Sequence, residues 1–175
     1  GTLDINAFSA FSLAPLAAAD PAQLRAWREC FVEQRIVPVI ARGTPALLER
    51  HRAQGDHLLI TTATNRFVTE PIARLLGVDD IIATDPEVID GRITGRLAGR
   101  ANFQAGKVER LEAWLRARTE TFEHLTAYSD SHNDLPLLRR ADVAVAVDPD
   151  DVLRAEAQRC GWPVISLSDA DLPTL

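Results

Sequence analysis

Residues 125 to 147 read LTAYSDSHNDLPLLRRADVAVAV, an apolar run that meets a knot of polar groups and then a helical stretch. Asp130, Ser131, Asn133 and Asp134 stand together at that junction. Two carboxylates four positions apart across a strand-to-helix turn point toward one place, which is unstable for two anions unless a cation lies between them. Mg²⁺ suits the position, because it takes oxygen ligands, keeps several waters and bridges to phosphate. Asp130 and Asp134 are therefore the candidate metal ligands. A second polar cluster, Thr61-Thr62-Ala63-Thr64-Asn65, follows the apolar run HLLI. The Thr62 hydroxyl and backbone N–H groups from Ala63 onward can hold a phosphate at the start of the next helix. Lys107, directly after Gly106 at another helix start, offers the compact positive charge that phosphoryl oxygens attract. Taken singly, each feature also reads as helix capping or as a solvated side chain.

The elements that must position these groups follow from periodicity. DINAFSAFSLA is spaced as a helix that Pro15 should end. Asp20 caps a second helix with Pro21 at its first position, and Leu24, Trp27 and Phe31 form its apolar stripe. GTPALLERHRAQG repeats the pattern, with Thr44 as cap, Pro45 at the start, Leu47, Leu48 and His51 on one side, and Gly55 as terminator. From Asp56 onward strands and helices alternate. HLLIT, DDIIAT, LTAYS and VAVAV have the form of buried parallel strands, with PVISL as a last short one. VIDGRITGRL reads as a hairpin turning at Asp90-Gly91. FVTEPIARLLG, GKVERLEAWLRAR, DLPLLRRA and DVLRAEAQRCG are the intervening helices, and Val108, Leu111, Trp114 and Leu115 face inward. Such alternation predicts an α/β fold with an open parallel sheet and helices on both faces, whose ligands gather at the carboxyl ends of the strands.

Composition narrows the class. The chain has 175 residues, 46% of them apolar, and a net charge of −6, which suits one compact domain and argues against a nucleic-acid surface. Its apolar runs are too short for a membrane span. Cys30 and Cys160 form no metal or redox spacing and read as two core thiols of a cytoplasmic protein. Three of the four histidines read as surface or helix-end residues. The chain contains no methionine and starts at Gly1 without a signal peptide, so residues upstream of Gly1 are expected in the natural protein. Oligomeric state is not legible.

LLITTATN, GVDDIIATDPEVIDGRITGRLAG, GKVERL and YSDSHNDLPLL, in this order, resemble the second to fourth signature motifs of the haloacid dehalogenase superfamily, and most closely its phosphoserine-phosphatase-like subclass IB. The likeness spans roughly residues 44 to 165. It implies a Rossmann-like core over residues 41–175 and, over residues 1–40, the C-terminal part of a helical cap. It also implies Mg²⁺-dependent hydrolysis of a small phosphomonoester through an aspartyl-phosphate. Thr62 would hold the phosphoryl group and Lys107 would balance its charge. Asp130 would bind Mg²⁺ directly, Asp134 would hold the metal or its waters, and Asn133 would help at the phosphate side.

The departure from the family pattern is at the start. Its nucleophile belongs to an Asp-x-Asp pair ending a first, central strand, and no such pair is found here; GTLD at residues 1–4 is a chance echo of the Gly-Thr-Leu that often succeeds that pair. The missing strand would lie between LTAYS and HLLIT, so a chain without it is expected to be inactive and poorly folded, with unpaired strand edges. A non-catalytic domain that binds Mg²⁺ and phosphate is the alternative. A response-regulator receiver fits less well, since it needs its acidic pair on the first strand and its lysine on the last. Arg42, Arg66 and Arg100 are candidates to meet a substrate carboxylate.

Overall fold

The computed structural model describes residues 4–168. Along the chain run α1 (Ile5–Ala18), α2 (Pro21–Phe31), α3 (Thr44–Gln54), β1 (Leu59–Asn65), α4 (Arg66–Leu75), β2 (Asp80–Thr84), β3 (Pro86–Ile89) and β4 (Arg92–Leu97). Then follow α5 (Ala105–Arg116), β5 (Thr126–Ser129), α6 (Leu135–Arg140), β6 (Val143–Val147), α7 (Asp151–Cys160) and β7 (Val164–Ile165). These form two compact units. One gathers the chain up to Ile40 with Leu58–Phe103, the other Ala41–His57 with the chain from Gln104 onward.

In the first unit, Asp4 and Asp20 cap α1 and α2, each carboxylate accepting backbone N–H groups two and three positions ahead. Residues 1–3 of the GTLD string lie outside the described residues. Helix α1 does not stop at Pro15; it continues to Ala18. Proline removes one backbone donor and its ring crowds the carbonyl four residues back, a cost that the packing of α1 through the buried Ser9 and Leu13 offsets. The stripe on α2 is also only partly buried. Leu24 is 5% exposed, but Trp27 is 55% and Phe31 43% exposed. Periodicity identifies an apolar face and says nothing of whether a neighbour covers it. β1 and β2 pair in parallel, Ile60 opposite Ile81. β1 runs beyond Thr61 to Asn65, with an irregularity in between that re-aims the polar residues at its end. The hairpin β3–β4 turns at Asp90 and Gly91, both at positive φ, the geometry of a tight two-residue turn.

The second unit carries the parallel order β5-β6-β7, with Ala127 opposite Ala144 and Val147 opposite Ile165. Parallel strands with covering helices make this an α/β protein, as the alternation implied. Leu47 of α3 packs with Val145, Ile165 and Leu167 in one core. The cap of α3 is Gly43, not Thr44, because Gly43 is buried with its N–H on the Leu167 carbonyl. Leu111 is the buried face of α5, and Val108, Trp114 and Leu115 are half-buried beside it. Among the described residues β1 pairs with β2 alone and β5 with β6 alone. Neither cysteine is a core thiol. Both are exposed, Cys160 on the polar side of α7 beside Glu156.

Glu156 joins α7 to α6, taking hydrogen bonds from Arg159 and Arg139. Those bonds, Arg159's first, draw its carboxyl from an ordinary 4.5 to about 2. A carboxyl that loses its proton more readily when folded stabilises the fold fully above its unfolded value, and that contribution fades as the pH falls toward the folded value. In urea unfolding between about pH 5 and about pH 2, Glu156→Gln is therefore expected to flatten part of the acid-side loss of stability. An unchanged slope would show that the arginine pairs contribute nothing.

Candidate functional site

At the mouth of β5 the second unit assembles its polar groups. Ser129 ends the strand, Ser131 caps a short 3₁₀ turn over His132–Asp134, and α6 follows. Ser129 Oγ donates to Asp134 Oδ2 at 2.8 Å and accepts the Ser131 N–H at 3.2 Å. The other oxygen of Asp134 takes Lys107 Nζ at 2.6 Å, and the two side chains are only 8% and 14% exposed. Lys107 reaches it from the first turn of α5, where Gly106 beside it is also buried. Both oxygens of Asp134 are thus engaged by the protein itself. Asp130 differs: it is exposed, and its carboxylate has no partner among the described residues. Asn133 Nδ2 donates to Ser131 Oγ, and its Oδ1 accepts Gln104 Nε2 at 3.2 Å. The structure therefore brings Lys107, Asn133 and Asp134 together and leaves Asp130 open at the strand end.

Asp150 fixes this loop, and nothing in the sequence singles it out. Its Oδ2 accepts both the backbone N–H and the ring Nδ1 of His132, its Oδ1 accepts the Leu153 N–H at the start of α7, and its own N–H donates to the Asp130 carbonyl at 2.9 Å. Burial alone would raise its pKa, but the Leu153 and His132 hydrogen bonds outweigh that and hold it at about 2. Asp148-Pro149-Asp150 has the Asp-x-Asp spacing that the sequence reading missed. It is not an unused pair, since Asp148 accepts the Leu167 N–H and Asp150 caps α7.

In the first unit, Thr62 and Ala63 are half-buried at the end of β1. Thr62 Oγ1 accepts the Thr64 N–H at 3.1 Å, and its hydroxyl proton has no acceptor among the described residues. Asn65 caps α4 through the Val68 N–H. Asn102, fully buried, ties the strand ends together. Its Nδ2 donates to Thr61 Oγ1, the Thr62 carbonyl and the Ile82 carbonyl, and its N–H donates to Thr84 Oγ1. A lone asparagine in a loop carries no periodic or motif signal, so sequence reading had no means to find it. Arg66 pairs with Asp85 and is committed there, Arg42 is exposed, and Arg100 is engaged.

Parallel strands flanked by helices, with polar groups gathered at the strand ends, define an α/β class of protein that takes its ligands at those ends. Comparison with known proteins gives its family. A family model described as haloacid dehalogenase-like hydrolase matches residues 1–139. A histidinol-phosphatase of Neisseria meningitidis serogroup C is 41% identical over 170 residues, which are 95% of this chain and 77% of that protein. Phosphoserine phosphatase SerB1 of Mycobacterium tuberculosis is 34% identical over 161 residues, 92% of this chain and 52% of that one. The crystal structure of a protein of unknown function from Bordetella pertussis Tohama I superposes with a TM-score of 0.91 at 43% identity, covering 95% of this chain and 76% of that one. The chain belongs to the haloacid dehalogenase-like hydrolase family, and by family it is a phosphatase. It spans about half the length of the mycobacterial relative and about three-quarters of the other two.

Removing Asn102 leaves two strand-end carbonyls without their donor. Asn102→Ala is expected to cost about 2–3 kcal/mol in urea unfolding, and Asn102→Asp, which turns an oxygen toward those same carbonyls, more than that. A cost within about 0.5 kcal/mol for both would show that the strand ends hold without it.

Proposed function

We propose that the protein is a Mg²⁺-dependent phosphomonoester hydrolase that works through an aspartyl-phosphate. The observation that carries this reading is the buried Lys107–Asp134 pair beside the open carboxylate of Asp130. The lysine is desolvated and held in place by Asp134, so its ammonium is preorganised for a bound phosphoryl group. Among the described residues no three acidic, histidine or cysteine side chains gather as a metal site. Mg²⁺ does not require that, since one or two carboxylates with waters and substrate phosphate complete its shell. Asp130 would hold the ion directly and Asp134 would orient its waters. The ion would neutralise phosphoryl oxygens. The free hydroxyl proton of Thr62 and the backbone at Ala63 would hold the phosphoryl group, and Asn133 would assist at the phosphate side. The nucleophilic Asp is none of these residues, and residues 1–40 are read as the end of a helical cap over a 41–175 core.

The substrate class that the relatives favour is a small phosphorylated metabolite, with histidinol phosphate first and an amino-acid phosphate second. Two unpaired thiols suit a reducing compartment, hence the cytoplasm. No helix among the described residues is long and apolar enough to cross a membrane, and the acidic charge disfavours nucleic acid. The second reading, a non-catalytic domain that binds Mg²⁺ and phosphate, draws on the commitment of Asp148 and Asp150 to capping and loop contacts.

Phosphate release by the full-length protein decides between them. Lys107→Met and Asp130→Asn are each expected to lower kcat about 10²–10³-fold with KM changed far less, and chelation of Mg²⁺ to abolish turnover. Residues 1–175 alone are expected to release no phosphate. Turnover undiminished by Asp130→Asn would remove Asp130 from the site, and absence of turnover in the full-length protein would sink the hydrolase reading in favour of the binding domain.

A further inference from the structure

The first unit holds a partly open cavity of about 300 Å³ among α2, the start of α4 and the β3–β4 hairpin. That is the lower end of the range for small-molecule sites. Leu24, Phe67, Pro86, Val88 and Ile93 supply an apolar wall, and the charged groups are Arg25, Arg28, Arg66, Glu70 and Asp85. The two carboxylates are already taken. Asp85 pairs with Arg66, and Glu70 pairs with Arg74 at 2.6 Å. Arg25 and Arg28, one turn apart on α2, have no acidic partner among the described residues, although like charges at that spacing repel.

Arg28 is held in a fixed pose. Its Nη1 donates to the Phe67 carbonyl at 3.1 Å, and the guanidinium carbon stands 4.6 Å from the centre of the Phe67 ring. The ring face stabilises the cation without neutralising it. Its Nε is buried with no acceptor, an arrangement that costs about 1–3 kcal/mol, and its Nη2 makes no hydrogen bond among the described residues. A guanidinium carries five donors in one plane and no acceptor, so a fixed guanidinium with idle donors lacks an anion.

We propose that this cavity binds a small organic monocarboxylate, with its carboxylate on the open Nη2 side of Arg28 and its apolar body against Phe67, Leu24 and the hairpin. With Asp85 taken by Arg66 and Glu70 by Arg74, Arg28 faces the cavity with its charge uncompensated and Arg25 beside it adds to the attraction for an anion. The planar guanidinium favours a carboxylate. The apolar wall disfavours bare inorganic phosphate, which would lose hydration there without a partner. The carboxylate belongs either to a free metabolite or to the distal end of a larger substrate, and one experiment separates these sources.

Calorimetric titration of the full-length protein with benzoate, benzamide and inorganic phosphate tests the site. Benzoate is expected to saturate with Kd of about 1 mM or tighter, and benzamide, of the same shape without the charge, to bind about tenfold weaker or not at all. Phosphate should not displace benzoate. Arg28→Met should weaken benzoate about tenfold or more, and Arg25→Gln by a smaller factor. Benzoate that does not bind, that binds no better than benzamide, or that binds Arg28→Met as well as the wild type overturns the proposal. Should Arg28→Met fail to fold, the benzoate–benzamide comparison on the wild type and the Arg25→Gln titration decide the matter in its place. Repeating the titration with a phosphatase substrate present assigns the source: competition places the carboxylate on the substrate, and simultaneous binding places it on a separate metabolite. Heat of binding requires no turnover, so the cavity stands or falls independently of the hydrolase reading.

Discussion

The contact on which the β5 end of the molecule depends is the buried ion pair of Lys107 and Asp134. Two adjacent carboxylates at a strand mouth present an electrostatic problem, and the chain resolves it by giving them different surroundings. Asp134 is turned inward, matched by an ammonium and a serine hydroxyl, while Asp130 stays in solvent. The pairing must be close to complete, because a buried charge that loses its partner costs about 3–5 kcal/mol. That requirement reaches outward to Ser129, which ties the strand end to Asp134 at the start of the next helix.

The loop that presents Asp130 is shaped by the protein's own hydrogen bonds. Asp150 holds His132 twice and Asp130 once, Ser131 accepts from Asn133, and Ser129 accepts from Ser131. A loop fixed in this way needs little rearrangement to receive a cation or an anion, which is the condition for strong electrostatic action at a site. The same bonds couple α7 to the β5 end, so the packing of α7 through Leu153 and Ala157, both fully buried, contributes indirectly to where Asp130 stands.

Local chemistry was the most legible part of the fold. The Asp20-Pro21 helix start, the Asp90-Gly91 turn and the Gly55 terminator depend on a few neighbouring residues, and each lies where those residues imply. The errors share one cause. The persistence of α1 beyond Pro15, the exposure of Trp27 and Phe31, and the exposure of both cysteines depend on what packs against those segments, and that is not a local property. Asn102 is the extreme case, a residue whose importance lies wholly in groups far away along the chain.

The strand-end motifs posed a sharper difficulty, because capping and ligand binding call for the same residue types. Asparagine, serine, threonine and aspartate are favoured helix caps, and they are equally the groups that meet a phosphate or a hard cation. Spacing alone does not separate the two uses; hydrogen-bond accounting does. Asn65 and Ser131 are occupied by capping, and Asp150 by capping and by its hold on His132. Thr62 keeps a hydroxyl proton to give, and Asp130 keeps a whole carboxylate. Within each cluster, then, some members build the turn and others are left with unused capacity, and that unused capacity is what a ligand can engage.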